Sequence, residues 1–302
     1  MFSFVPCRSK RSEFHGRLDW LKLHIYTKGM VISMKIFDAH AHIYPTAIAE
    51  KAVDSLGNFY DFSPDGLGTT DDYTESSAAV GCSGFLILGV ATNARQTAAV
   101  NDFISDFIKK SRNDGFDAYG FMGINQEILD IEAEVKRSVG KGLCGVKIHP
   151  DIQQVDPLDP RLYCLYELLQ QMKLPICFHV GDVRPRYRYS EPEKIARVAK
   201  DFPGLRICAA HFGGYSVFEE GRNVLAGLAN IWVDCSSSLW LITPEYAHEL
   251  IKAFGTDRVM FGTDYPVKYC DEELKRFEKV PLTDGERDNI LWNNAHNYIL
   301  GK

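Results

Sequence analysis

Residues 144–149 read Cys-Gly-Val-Lys-Ile-His, residues 175–180 Pro-Ile-Cys-Phe-His-Val, and residues 206–212 Arg-Ile-Cys-Ala-Ala-His-Phe. Each is a short apolar run closed by a basic side chain. The landmarks Lys147, His179 and His211 stand two successive steps of 32 residues apart. That interval accommodates one strand, one helix and their loops. Outward from this stretch, similar runs recur at 35–41 (KIFDAHA), 84–90 (GFLILGV), 118–124 (AYGFMGI), 231–236 (IWVDCS) and 259–264 (VMFGTD), which makes eight. Most of the intervals carry helix signals. Residues 93–110 place Val100, Phe103, Ile104, Phe107 and Ile108 at three-and-four spacing, and residues 159–172 repeat the pattern with Leu162, Leu165, Tyr166, Leu168 and Leu169. The interval 191–201 has a proline in its first turn, 243–253 opens Thr-Pro-Glu, and 283–299 supplies a long final helix. Strands alternating with helices require a parallel sheet. Eight such units predict a (β/α)8 TIM barrel, one α/β domain over residues 34–302.

Composition agrees with a globular chain of 302 residues: 45% hydrophobic, 25% charged and 12% aromatic. No apolar run approaches the roughly 18–20 residues of a membrane span. Residues 1–34 hold six basic and two acidic side chains, so of the net charge of −6 the remainder carries −10. An acidic body repels phosphate backbones, which argues against nucleic acid as a partner. The eight cysteines show no Cys-x-x-Cys spacing and mostly lie in apolar runs, as in a reducing, cytoplasmic protein. Residues 1–33 lack both a signal-peptide core and clean periodicity. They are expected to be an extension outside the barrel, disordered or not native.

On this scaffold, chemistry gathers at the carboxyl ends of the strands. The first run ends Asp38-Ala39-His40-Ala41-His42. Strand residues two apart share a face, so both imidazoles aim the same way and can converge on one cation. The later runs end in Lys147, His179, His211 and Asp264, and the residues two positions earlier are small (Gly145, Cys177, Ala209, Gly262). These small neighbours are expected to leave a cavity. Buried polar groups without partners cost several kcal/mol. A shared metal ion accounts for all of these strand ends together, whereas satisfied histidines at a rim account for them one at a time. His149 shares a face with Lys147 but precedes Pro150, and is read as the start of a loop. The segment 181–189 carries three arginines and two tyrosines, of which Arg184 stands nearest His179. It suits either a planar anionic ligand or a solvated rim. Trp240 could wall the same pocket or equally pack at an interface.

His40-x-His42, His179, His211 and Asp264, set within FDAHAHIYP, GVKIHP, AAHFGGY and FGTDYP and followed by ERDNILWNNAHNYI, resemble the amidohydrolase superfamily. The resemblance is nearest to its aminocarboxymuconate-semialdehyde decarboxylase-like branch and runs from about residue 34 to the C-terminus. It implies a divalent metal, Zn²⁺ by expectation, held by His40, His42, His179 and Asp264, with His211 as general base beside it and Asp264 taking a proton. Lys147 is open between a carbamylated bridge of two ions, a contact to a substrate carboxylate and a non-ligand, with one ion favoured. Arg184 is the expected substrate contact. The leading expectation is hydrolysis of a small, carboxylated substrate by a metal-activated water. Non-oxidative decarboxylation on the same scaffold is the alternative, and a non-catalytic metal-binding barrel is the third reading. Relatives often pair, which leaves a homodimer open.

Overall fold

The computed structural model describes residues 35–302 except Tyr187, together with the two short strands Tyr26–Thr27 and Met30–Val31, which pair antiparallel. The expectation for residues 1–33 otherwise lies outside the described residues.

All eight expected strands form. They are β1 (Ile36–Ala41), β2 (Cys82–Leu88), β3 (Asp117–Gly123), β4 (Val146–Ile148), β5 (Ile176–Phe178), β6 (Ile207–Ala209), β7 (Ile231–Asp234) and β8 (Val259–Met260). Each pairs in parallel with its neighbour in chain order. The first and last strands meet through backbone hydrogen bonds: Ala39 N–H donates to Phe261 O (2.8 Å), His42 N–H to Tyr265 O (2.7 Å) and Asp264 N–H to His40 O (2.7 Å). The result is a nearly closed (β/α)8 barrel.

Its interior is packed by Phe37, Leu86, Leu88, Phe121, Cys177, Cys208, Trp232 and Met260. The C-terminal helix Asn294–Leu300 adds Tyr298, whose hydroxyl donates to Ile176 O (2.7 Å). Outside, helices such as Thr97–Asn113 bury Ile104, Phe107 and Ile108 against the sheet. Proline stands in the first turn of Pro160–Met172, Pro192–Asp201 and Pro244–Phe254, where its missing N–H costs nothing. Among the described residues, no helix is long and apolar enough to cross a membrane.

Three local features differ from the sequence reading. Between β1 and β2 the chain forms two helices, α1 (Thr46–Tyr60) and α2 (Thr70–Ala79), and α1 carries Tyr60 to the mouth. The final helix is interrupted by a π turn at Asn289–Asn293. There the Ile290 carbonyl accepts from Phe261 N–H (2.9 Å), a bond that draws the helix backbone onto the end of β8. The expected small-residue cavity is also partly filled. A Cβ on Gly145 would stand 2.5 Å from the Phe121 ring, and the interior residues of the sixth unit are Cys208 and Ala210 rather than Ala209.

Candidate metal centre

His40 and His42 leave β1 on one face, and their outer ring nitrogens are both tied down. His40 Nδ1 donates to Asp234 Oδ2 (2.9 Å) and His42 Nδ1 to Leu88 O (2.7 Å). A carbonyl oxygen only accepts, so His42 carries its proton on Nδ1 and presents a bare lone pair at Nε2. His40 does the same toward a carboxylate. The two Nε2 atoms face each other at 3.3 Å, and Asp264 Oδ1 lies 3.3 Å from one and 3.4 Å from the other. Three acceptors thus crowd together with no proton among them. Two bonds of about 2.1 Å at a tetrahedral angle separate donor atoms by about 3.4 Å, so this trio has the spacing of a divalent-metal site. Gly262 permits the approach, because a Cβ there would meet His40 Cβ at 2.9 Å.

Asp264 reaches the trio differently from the histidines. It lies beyond the end of β8 with φ 57°, in the left-handed region, and its other oxygen accepts from Ser237 Oγ (2.6 Å). His211 likewise follows β6 with φ 60°. A non-glycine residue held there is uncommon and is fixed by its surroundings. His211 N–H donates to Asp234 Oδ1 (3.1 Å), and its Nδ1 faces Ser236 O (3.0 Å). Burial alone would raise the carboxyl of Asp264, but the imidazoles of His40, His42 and His211 hold it well below the usual carboxylate range. Burial, reinforced by the Lys147 ammonium, lowers His40 to about 4. An anionic Asp264 and a neutral His40 are what a divalent ion requires.

Lys147 is 1% exposed, and its Nζ stands 3.2 Å from His40 Nε2 and 3.6 Å from Cys177 Sγ. His179 is placed apart from the trio. Its Nδ1 lies 3.0 Å from His211 Nε2, its Nε2 lies 3.1 Å from Gly181 O, and the His149 ring stacks on it at 4.0 Å and 8°. The Tyr60 hydroxyl bonds His149 Nε2 (2.7 Å) and stands 3.2 Å from His179 Nε2. Arg184 forks onto Asp182 (2.9 and 2.6 Å), donates to the Phe59 carbonyl, and lies over the Phe59 and Tyr60 rings at 5.3 and 5.2 Å. It braces the aromatic wall of the mouth. Trp240 packs on Phe62, the next ring along from Tyr60.

The sequence reading passed over several residues that the structure brings into this network. Asp234 closes β7 and could have been found by the same strand-end logic that singled out Asp264. Asp38 accepts from Tyr73, Thr263 and His40 N–H, and ties β1 to the loop bearing Asp264. His149 does begin a segment, accepting from Ile152 N–H (3.3 Å), and also covers His179. Tyr60 had no signal in sequence, because it arrives from a helix that was not anticipated.

Fold and site together define a (β/α)8 barrel with a metal-competent donor cluster at its mouth. The Amidohydrolase family model matches residues 37–297, and the chain belongs to that family of enzymes. Over 111 residues it is 30% identical to the 2-amino-3-carboxymuconate-6-semialdehyde decarboxylase of Caenorhabditis elegans. That stretch covers 31% of this chain and spans only 27% of the relative's own length. Among solved structures, the uncharacterized TIM-barrel protein Bb4693 of Bordetella bronchiseptica superposes with TM-score 0.71 at 20% identity, over 89% of this chain and all of that one. The dihydroxybenzoic acid decarboxylase of Polaromonas sp. JS666, with bound manganese and the inhibitor 2-nitroresorcinol, gives TM-score 0.64 at 15% identity, over 89% and 98%. At these identities the two structures speak for the fold.

Proposed function

We propose that this protein is a metal-dependent, non-oxidative decarboxylase of a small planar carboxylic acid. The observation that carries the reading is the lone-pair trio of His40, His42 and Asp264 beside Lys147, in a chain with decarboxylases among its relatives. The sequence alone favoured hydrolysis. The comparisons support decarboxylation better, since decarboxylases stand among both the sequence relatives and the structural neighbours.

His40, His42 and Asp264 would hold one divalent ion, and His179, whose Nδ1 faces His211 Nε2, would have to turn toward them to serve as the expected fourth donor. The nitrogen-rich donor set accepts zinc, and the manganese-bound neighbour makes Mn²⁺ the other ion to test. A bound divalent cation supplies positive charge that orients the substrate's carboxylate and stabilises negative charge developing on the substrate. The Lys147 ammonium adds a second positive charge at the same place. Tyr60, Phe62 and Tyr215 form an aromatic wall that excludes water from a planar acid. In the reaction the bond from substrate carbon to the carboxyl carbon breaks, CO2 leaves, and the electron pair stays on the substrate carbon. His211, having taken a proton from solvent, then delivers it to that carbon and is left neutral. With Nδ1–H directed at Ser236 O, Nε2 is the atom that carries the transferred proton. Burial lowers the pKa of His211, so a proton placed on Nε2 is readily surrendered.

The test is incubation of metal-loaded enzyme with a panel of hydroxylated aromatic and dienoic carboxylic acids, following CO2 and product together. CO2 released in step with a product one carboxyl group shorter supports the proposal. Turnover that yields amine, alcohol or ring-opened acid without CO2 overturns it in favour of hydrolysis.

A further inference from the structure

Beneath the mouth lies a second donor cluster, whose two thiols have no part in the reaction above. Lys147, Cys177 and Cys208 are register partners on β4, β5 and β6 and occupy one row of the barrel. Both thiols are 2% exposed. Cys208 Sγ stands 3.5 Å from Asp234 Oδ2, and ligand atoms of Cys177, Cys208 and Asp234 lie within 4.8 Å of one another. Two metal–thiolate bonds of about 2.3 Å each fit inside that span. The other buried cysteines with a thiol neighbour, Cys82 and Cys270, form no such three-donor group among the described residues.

We propose that Cys177, Cys208 and Asp234 form a separate site for a thiophilic divalent cation of the zinc–cadmium type, whose occupancy loosens the metal centre above it. Binding exchanges two S–H protons for two metal–sulfur bonds, and both protons pass to solvent. Two thiolates cancel the charge of the ion, so the unit entering the low-dielectric interior is close to neutral. The link to the mouth is Asp234 Oδ2, which also accepts the His40 Nδ1 proton at 2.9 Å. A cation that takes this oxygen deprives His40 of the partner that fixes its ring and its tautomer. Lys147, touching both His40 Nε2 and Cys177 Sγ, marks the boundary between the two sites.

The experiment titrates metal-loaded enzyme with CdCl2. It reads the ultraviolet thiolate-to-cadmium charge-transfer band, bound cadmium by elemental analysis, and the rate at which a chelator strips the first-site ion. The wild type should take up cadmium with a band and lose its first-site ion faster. The Cys177→Ala/Cys208→Ala enzyme should show neither effect, while Cys82→Ala/Cys270→Ala behaves as wild type. No band in the wild type, or an undiminished band in Cys177→Ala/Cys208→Ala, overturns the site. Should that variant not fold, cadmium anomalous density in wild-type crystals decides: a peak between the two Sγ atoms supports the site, and its absence refutes it. None of these readouts requires a substrate, so they succeed or fail independently of the decarboxylase assignment.

Discussion

Replacing Asp234 with Asn tests how the barrel prepares His40 for a metal. Asp234 Oδ1 accepts from His211 N–H (3.1 Å), Ser236 N–H (3.1 Å) and Ser236 Oγ–H (2.5 Å), while Oδ2 accepts from His40 Nδ1–H (2.9 Å). An asparagine has one acceptor oxygen and one NH2 group. Three donors hold the oxygen at the Oδ1 position, so the NH2 turns toward His40 Nδ1. That nitrogen must then become the acceptor, and the ring proton moves to Nε2, where it occupies the lone pair meant for the ion. Loss of such a partner weakens metal affinity about 10–100-fold, or about 1.4–2.7 kcal/mol. Competition against a chromogenic chelator measures this, with near-ultraviolet circular dichroism as the control for folding. A folded Asp234→Asn protein with wild-type metal affinity would refute the tautomer argument.

Three further outcomes are expected. His211→Asn should retain the metal-to-chain ratio while kcat falls by at least about a hundredfold; loss of metal instead would make His211 a ligand. Tyr60→Phe keeps the ring stacking but leaves His149 Nε2 without its 2.7 Å partner, at a cost of about 1–3 kcal/mol in denaturant titrations; unchanged stability would show that this bond contributes nothing. Glu273 is fully buried, pairs one oxygen with Arg276 (2.7 Å) and leaves the other without a partner among the described residues; burial lifts it from 4.5 to about 7. The fold therefore favours its protonated form, a contribution complete below pH 4.5 and lost as pH rises through about 7. Glu273→Gln should remove a pH-dependent loss of about 3 kcal/mol between pH 4.5 and 8, whereas an unaltered pH–stability slope would contradict that assignment.

Much of the barrel was legible because its signals are local. Apolar runs of six or seven residues, helix-period spacing and first-turn prolines do not depend on what the chain packs against. The pairing of His40 with His42 was legible for the same reason, since alternation along one strand sets it. What stayed hidden depends on distant contacts. Tyr60 reaches His149 from 89 residues away, and Asp234 meets His40 across 194. His211 and Asp264 were found by residue type, although the alternation invoked for them does not hold, because both sit past their strands in left-handed turns. The cavity expected beside Gly145 failed because the glycine makes room for Phe121, which no local pattern reveals.

Crystals grown with the divalent ion present, with data collected at its absorption edge, address the metal centre directly. The account predicts an anomalous peak at the mouth of the barrel, within bonding distance of His40 Nε2, His42 Nε2 and Asp264 Oδ1. No peak at those three atoms with the ion in excess would contradict it, whatever is bound at the thiols below.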